Sequence, residues 1–489
     1  MPAFVRLRRR SRRMVFHQFP RHMLIPSDID PLFEPSYYLH PRRRLCNQFA
    51  AARPSCQFAP RKVLKAMEWI STGYWTAVAG AAVFSVLLTW QAFEHRRYAR
   101  SRSEHRPTVD YRSHVCLFVP CKGSDVDLED NLRPLFEQDQ GDYEIVFIVE
   151  SSDDPAALTI RRVMQQYPGI PSRLVVAGLS TTSGQKVHNL LVATENLPRH
   201  VEVLAFVDAD VRPPRHWLRL LTGRLHNIPV STGYRSFVPK RVTFANLTLS
   251  SINGSVIPIM FPGKHHLIWG GSWSITRQVF ESSGLREDWT GTLSDDLIAT
   301  RVMARVQQRV AAEPMCILPS PLDVDLRGMF SFVRRQLIIG RCYVPVHWYA
   351  LLLGSGMLQL MIWGSLAAAI GGWFSGAAWS WQPAAGCGLL YAFHVGRASL
   401  RHQASQYYLR DLQPELKAVH RFDLWLGPIA GLVGWLGLVS SAFSRQIVWK
   451  GIAYEMRPGG AIKKIVRPPV DPATLAIHSP QPETSRRVA

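Results

Sequence analysis

At 489 residues the chain is long enough for two or three domains with sizeable cores, and a formal charge of +21 with a pI near 10.1 asks for an anionic partner. The basic excess is concentrated: residues 1–66 carry 14 Lys and Arg against three acids, and five more Arg fall between His95 and Arg106. No aromatic-studded basic groove or nucleic-acid motif accompanies it, which excludes a nucleic-acid partner in favour of a membrane surface. Seven cysteines, an odd number without C-x-x-C spacing, are expected to be reduced and structural in a domain facing a reducing cytosol.

Residues 1–66 are rich in Arg, Pro and His without a sustained apolar period, so disorder is expected there. Met67 stands directly before a membrane-type helix, which makes it an alternative start of translation. From Trp69 to Phe93, 25 residues contain no Asp, Glu, Lys or Arg, with Trp69, Tyr74, Trp75 and Trp90 toward the two ends. This predicts a transmembrane helix over 67–94, long enough for a hydrocarbon core of about 30 Å.

A soluble domain is expected over 107–341. HVCLFVP (114–120), YEIVFIV (143–149), SRLVVAG (172–178) and VEVLAFV (201–207) read as short apolar strands, and 127–138, 154–166 and 184–196 between them have helical spacing. That alternation predicts an α/β fold with a mostly parallel sheet covered on both faces. Loops at the carboxyl ends of the strands then bring Asp125, Glu150, Asp153, Asp154, Asp208 and Asp210 to one crevice.

Asp208 and Asp210, on alternate residues just past a strand, point the same way and suit a divalent cation shared with a diphosphate. A polar turn is the plainer reading of a lone D-x-D. Asp125, Glu150, Lys186 and the pair Asp295-Asp296 in the same α/β segment favour the site. Further on, 244–262 is apolar but broken by Asn, Gly and Pro, and is expected to lie on the membrane. IWGGSWSIT (268–276) reads as a strand whose glycine pair lets backbone approach a ligand. Ser294-Asp295-Asp296 opens a helical pattern, where Asp295 fits ordinary N-capping.

Residues 334–341 read as a short helix. Residues 342–396 hold 55 positions without Asp, Glu, Lys or Arg, room for two transmembrane helices; 397–423, with five Lys or Arg, is expected as a cytosolic loop. The 21 uncharged residues 424–444 form a transmembrane or re-entrant helix, and 445–489 a basic and then disordered tail. Basic flanks after the first helix and at 397–423 place the 107–341 domain of this multi-pass protein in the cytosol, although the basic N-terminal segment points the other way.

PCKGSDVDLEDNLRPLFEQD, IVFIVESSDDPA, SGQKVHNL, FVDADVRPP and TLSDDLIATR resemble, in this order and spacing, the ceramide glucosyltransferase family of membrane lipid glycosyltransferases, and are similar to bacterial hopanoid-associated glycosyltransferases. The resemblance covers roughly residues 67–460. It implies a GT-A type nucleotide-sugar-binding domain that moves a sugar with inversion from a UDP-sugar to a membrane lipid hydroxyl, as in sphingolipid metabolism, with Mg²⁺ or Mn²⁺ as cofactor. Carried over residue by residue, it implies donor binding by Asp125, Glu150, Asp154 and Lys186, metal binding by Asp208 with Asp210, and Asp296 as the catalytic base. The family's closing (Q/R)-x-x-R-W is here Gln336-Leu-Ile-Ile339-Gly340, so only Gln336 matches; Arg335 or Arg341 is left to cover the diphosphate. A processive polysaccharide synthase and a catalytically silent lipid-binding protein are the alternatives.

Overall fold

The computed structural model describes residues 61–104, 113–123, 127–260 and 267–468; Asp125, residues 1–60 of the expected N-terminal disorder and residues 469–489 of the expected tail lie outside these, whereas 61–66, also expected to be disordered, open the first helix. In chain order the elements are α1 (Arg61–Glu104), β1 (Val115–Pro120), α2 (Leu128–Leu132), β2 (Tyr143–Val149), α3 (Pro155–Gln166), β3 (Ser172–Val176), α4 (Gln185–Ala193), β4 (Val203–Val207), α5 (Trp217–Thr222), β5 (Val230–Pro239) and α6 (Phe244–Val256). They continue through β6 (Ser272–Thr276), α7 (Arg277–Ser282), α8 (Leu285–Trp289), α9 (Asp295–Arg305), β7 (Val310–Leu322), α10 (Leu326–Tyr343), α11 (Pro345–Phe374), α12 (Trp381–Tyr408) and α13 (Gln413–Ala442) to β8 (Gln446–Trp449), β9 (Ile452–Met456) and β10 (Ile462–Val466).

Seven strands form one sheet in the order β3-β2-β1-β4-β6-β5-β7, parallel from β3 to β4 and again between β5 and β7, with β6 antiparallel to both its neighbours. Both faces are buried because the strands are apolar at successive positions. Leu117, Val119, Phe147, Ala205 and Val207 pack toward α2, α3 and α5, while Cys116, Phe118, Val146, Leu204 and Phe206 pack toward α4, α8 and α9. Phe206 stacks on Trp273 of β6 with ring centroids 4.3 Å apart, which locks the antiparallel strand against the parallel half.

Two long strands, β5 and β7, were not expected. β7 contains Pro314, Pro319 and Pro321, which argue against a central strand, but it is the last strand of the sheet, where a missing N–H need not cost a ladder bond. The glycine pair of 268–276 sits in a turn, with β6 starting at Ser272. Likewise 446–466, expected in the tail, forms the three-stranded antiparallel sheet β8–β10, whose Ile447, Ile452, Tyr454 and Met456 join the core on the α4 and α9 side.

Among the described residues, three helices are long and apolar enough to cross a membrane: Glu68–Glu104, Pro345–Phe374 and Arg410–Ala442. α12 is as long but carries Arg397 and Arg401 in its second half. The stretch expected as a loop over 397–423 is helical almost throughout, because α12 and α13 both run past the apolar residues and meet at a single turn, Arg410–Leu412. α13 continues through Pro428 without a break. The 244–262 segment is mostly α6, held between β5 and α13, where Ser251 donates to Asp423 at 2.6 Å and Leu249 packs near Met329 and Val333 of α10. At the other edge, Glu313 of β7, 1% exposed, accepts from Arg102 of α1 at 2.8 Å and ties the first helix to the sheet.

Candidate active site

The crevice is built where β4 ends. Asp208 follows Val207, and its carboxylate meets the ammonium of Lys186, in the first turn of α4, at 2.8 Å. Lys186 also pairs with Asp295 at 3.2 Å and donates to the Gly270 carbonyl at 3.2 Å. Three segments distant in sequence are thus pinned by one cation. Burial opposes the Lys186 charge, but Asp208, Asp295 and Asp296 outweigh it and hold the group above the ordinary lysine range.

The glycine pair makes this approach possible. A Cβ on Gly270 would fall 2.7 Å from Asp295 Oδ2 and 2.9 Å from Lys186 Nζ; one on Gly271 would fall 2.6 Å from Asp208 Oδ2 and 2.3 Å from the Trp269 ring. No side chain fits at either place.

The two acids at the start of α9 divide their work in a way the capping expectation did not foresee. Ser294 is the N-cap, accepting from Leu297 N–H at 3.4 Å. Asp296 reinforces it: Oδ1 accepts from Leu297 N–H at 2.7 Å and from the Ser294 hydroxyl at 2.5 Å, and Oδ2 from Gly270 N–H at 3.0 Å. Asp295 instead turns inward and is 3% exposed, with Oδ2 lacking a hydrogen-bond partner.

Burial pushes the Asp295 carboxyl up to about 7, with Asp296 and Asp208 adding to the shift and Lys186 opposing it. The folded chain therefore keeps a proton that the unfolded chain releases near its usual value of about 4, so the Asp295 contribution to stability is full below that pH and is lost as pH rises through about 7. The thermal midpoint of the detergent-solubilised chain is expected to fall between about pH 4 and about pH 7 and to level off above, and Asp295→Asn to flatten that fall. Equal slopes in the two proteins would remove Asp295 as the cause.

Around Asp210 the crevice is cationic. Arg235 of β5 lies 3.5 Å from its carboxylate, with the guanidinium 5.5 Å over the Trp269 ring. Arg335 of α10 stands over Trp449 and is pushed down to about 10 by burial and by Arg235, against the pull of Asp210. Arg341, the other candidate for covering the diphosphate, is directed to the Ala442 and Ser444 carbonyls at the end of α13. Gln336 is exposed on α10.

The acids expected near the nucleotide base are committed to protein partners. Asp154 caps α3 through Ala156 N–H at 2.9 Å and accepts from Gly123 N–H at 2.8 Å. Glu150 pairs with Lys122 and lies 3.4 Å from Arg467, just past β10. Arg235 and Arg467 were missed by sequence reasoning because their strands were. The alternation in GYRSFVP was the signal available for the first, whereas a basic tail hides the second.

The two carboxylates of D-x-D are hard oxygen donors, and Asp210, with a side chain 51% exposed, leaves room for phosphate and water beside it; the pair fits Mg²⁺ or Mn²⁺.

Residues 75–462 match the model of glycosyl transferase family 21. The chain is 28% identical over 97 residues to ceramide glucosyltransferase 3 of Caenorhabditis elegans and 26% identical over 118 residues to ceramide glucosyltransferase of Komagataella phaffii, covering 20% and 24% of this chain. The matches span 21% and 22% of those relatives' own length. Among solved structures, the chain is similar to a Pyrobaculum calidifontis mannosyltransferase in complex with GDP-mannose and Mn²⁺, at 16% identity and a TM-score of 0.42, over 75% of this chain and 98% of that one. It is also similar to glucosyl-3-phosphoglycerate synthase of Mycobacterium tuberculosis in complex with Mn²⁺ and UDP-glucose, at 11% identity and a TM-score of 0.32, over 48% and 83%.

Proposed function

Since the chain belongs to glycosyl transferase family 21, we propose that its GT-A type domain transfers a sugar with inversion from a UDP-sugar to a membrane lipid hydroxyl such as that of ceramide, at the cytosolic face. The observation that carries this reading is the Lys186 ammonium bridging Asp208 and Asp295 beside a partly exposed Asp296. Relatives named ceramide glucosyltransferases support the lipid acceptor.

In this reaction the acceptor hydroxyl gives its proton to Asp296 as its oxygen attacks the anomeric carbon and the bond to the diphosphate breaks. A carboxylate offers about four lone-pair sites, and three of those on Asp296 are taken, two at Oδ1 and one at Oδ2. The remaining site on Oδ2 is the one for the proton. Negative charge that develops on the departing UDP meets Arg235 and Arg335, fixed before the reaction starts, while Lys186 stays committed to Asp208 and Asp295. A divalent cation held by Asp208 and Asp210 would supply Lewis-acid neutralisation of the same diphosphate.

Incubating the purified chain with UDP-sugars and mixed membrane lipids, with UDP release and lipid mass spectrometry as readouts, tests the proposal. Release that depends on added lipid, with a glycolipid product, is the expected result. UDP release with a growing glycan and no lipid acceptor would give a processive synthase, and no release would give a silent lipid-binding protein. Topology supplies a separate check. Residues 107–340 are expected on the cytosolic side, and protease access or reporter fusions placing them outside would end the UDP-sugar reading, since that donor is cytosolic.

A further inference from the structure

At the opposite end of the strands from Asp208, roughly 15–20 Å away along β4, His114, Glu144 and His200 bring one ligand atom each to within 4.8 Å of one another. His114 immediately precedes β1, Glu144 is the second residue of β2, and His200 enters β4, so the group gathers the amino-terminal ends of three adjacent strands. The His114 and His200 rings meet edge to face with centroids 4.4 Å apart.

The hydrogen bonding of this group is incomplete in a specific way. His114 Nδ1 lies 2.7 Å from Asp142 Oδ1. A carboxylate only accepts, so Nδ1 carries a proton, which leaves Nε2 as the ring nitrogen that can ligate a metal. Both His114 Nε2 and Glu144 Oε1 are buried without a hydrogen-bond partner. Two acceptors turned toward one small space repel each other unless a cation, a metal ion or a proton, lies between them, and the exposed His200 beside them supplies a third ligand for a metal. Asp142 meanwhile holds His114 as outer carboxylates hold metal-bound histidines, fixing the tautomer that leaves Nε2 for the ligand.

We infer that His114, Glu144 and His200 form a second metal site, separate from the D-x-D, which takes Zn²⁺ or a similar late first-row cation. Two imidazoles and one carboxylate are a borderline donor set that suits zinc and disfavours Mg²⁺. Because His200 is exposed, a fourth position can be filled by water. The site staples β2, β1 and β4 where the chain enters the sheet from α1, and so acts on stability and not on sugar transfer.

The test uses the full chain in detergent, stripped by chelator, with Asp208→Asn and Asp210→Asn in place to silence the other site. Titration with Zn²⁺ alone is expected to give one equivalent bound and a raised thermal midpoint, with no competition from excess Mg²⁺. In that background His200→Ala should abolish the binding, and Asp142→Asn, which leaves all three ligands, should weaken it by about 10–100-fold. His200 is on the surface, so its variant keeps the fold, which circular dichroism checks. Failure of the parent background to bind zinc, or zinc binding unchanged in both His200→Ala and Glu144→Gln, would overturn the site.

Discussion

Asp296→Asn is expected to lower sugar transfer by about 10²–10⁴-fold while UDP binding persists. A lipid hydroxyl is a weak nucleophile, and the base must stand where the acceptor reaches it. Asp296 is partly exposed and keeps an open lone pair, whereas Asp295 is 3% exposed and faces Lys186. An amide at 296 can still accept from Leu297 and Ser294 through its one oxygen, though not from Gly270, and with Ser294 as the N-cap α9 keeps its start, so most of the loss falls on chemistry. Asp295→Asn is expected to act differently, weakening the hold on Lys186 and changing donor binding and stability together. Near-normal transfer by Asp296→Asn alongside inactive but folded Asp295→Asn would reverse the assignment; activity in both would send the search for the base elsewhere.

Excess chelator is expected to abolish transfer, and Asp210→Asn to raise the metal concentration needed, with little change in acceptor binding. The lost charge neutralisation at the leaving diphosphate amounts to at least on the order of 10²-fold in rate. Lys186 is already shared by Asp208 and Asp295, so it has little positive charge to spare for the diphosphate. Arg235 and Arg335 remain, but Arg235 is itself drawn to Asp210 at 3.5 Å. Removing that carboxylate frees Arg235 for phosphate, so Asp210→Asn should retain some turnover at saturating Mn²⁺. Undiminished turnover in chelator would place the whole burden on these arginines.

The parallel half of the sheet was legible because its strands are mostly apolar runs, two of them, β2 and β4, ending directly in an acid, and β1, β2 and β4 fall within two residues of their expected starts. The other half was not. β7 hides behind three prolines that only an edge position tolerates, and β8–β10 are short, charged strands whose apolar faces make sense only against α4 and α9. The same limit applied to the site: the acids were visible as motifs, but which of Asp295 and Asp296 turns inward depends on Lys186 and Gly270, brought there by tertiary structure. Arg335, one residue before Gln336, stands over Trp449 of a separate sheet, a neighbour that no local sequence pattern announces.

The buried pair of Arg102 and Glu313 fixes a height. An upright helix rises about 1.5 Å per residue, so Arg102 stands roughly 14 Å beyond Phe93, the end of the apolar stretch. A headgroup layer is only about 5–8 Å deep. If α1 crosses a bilayer upright along its apolar stretch, its tie to β7 holds that edge of the sheet beyond the headgroups. On the reading proposed above, a lipid acceptor would then be sorted by how far its hydroxyl protrudes from the bilayer before its shape is ever read.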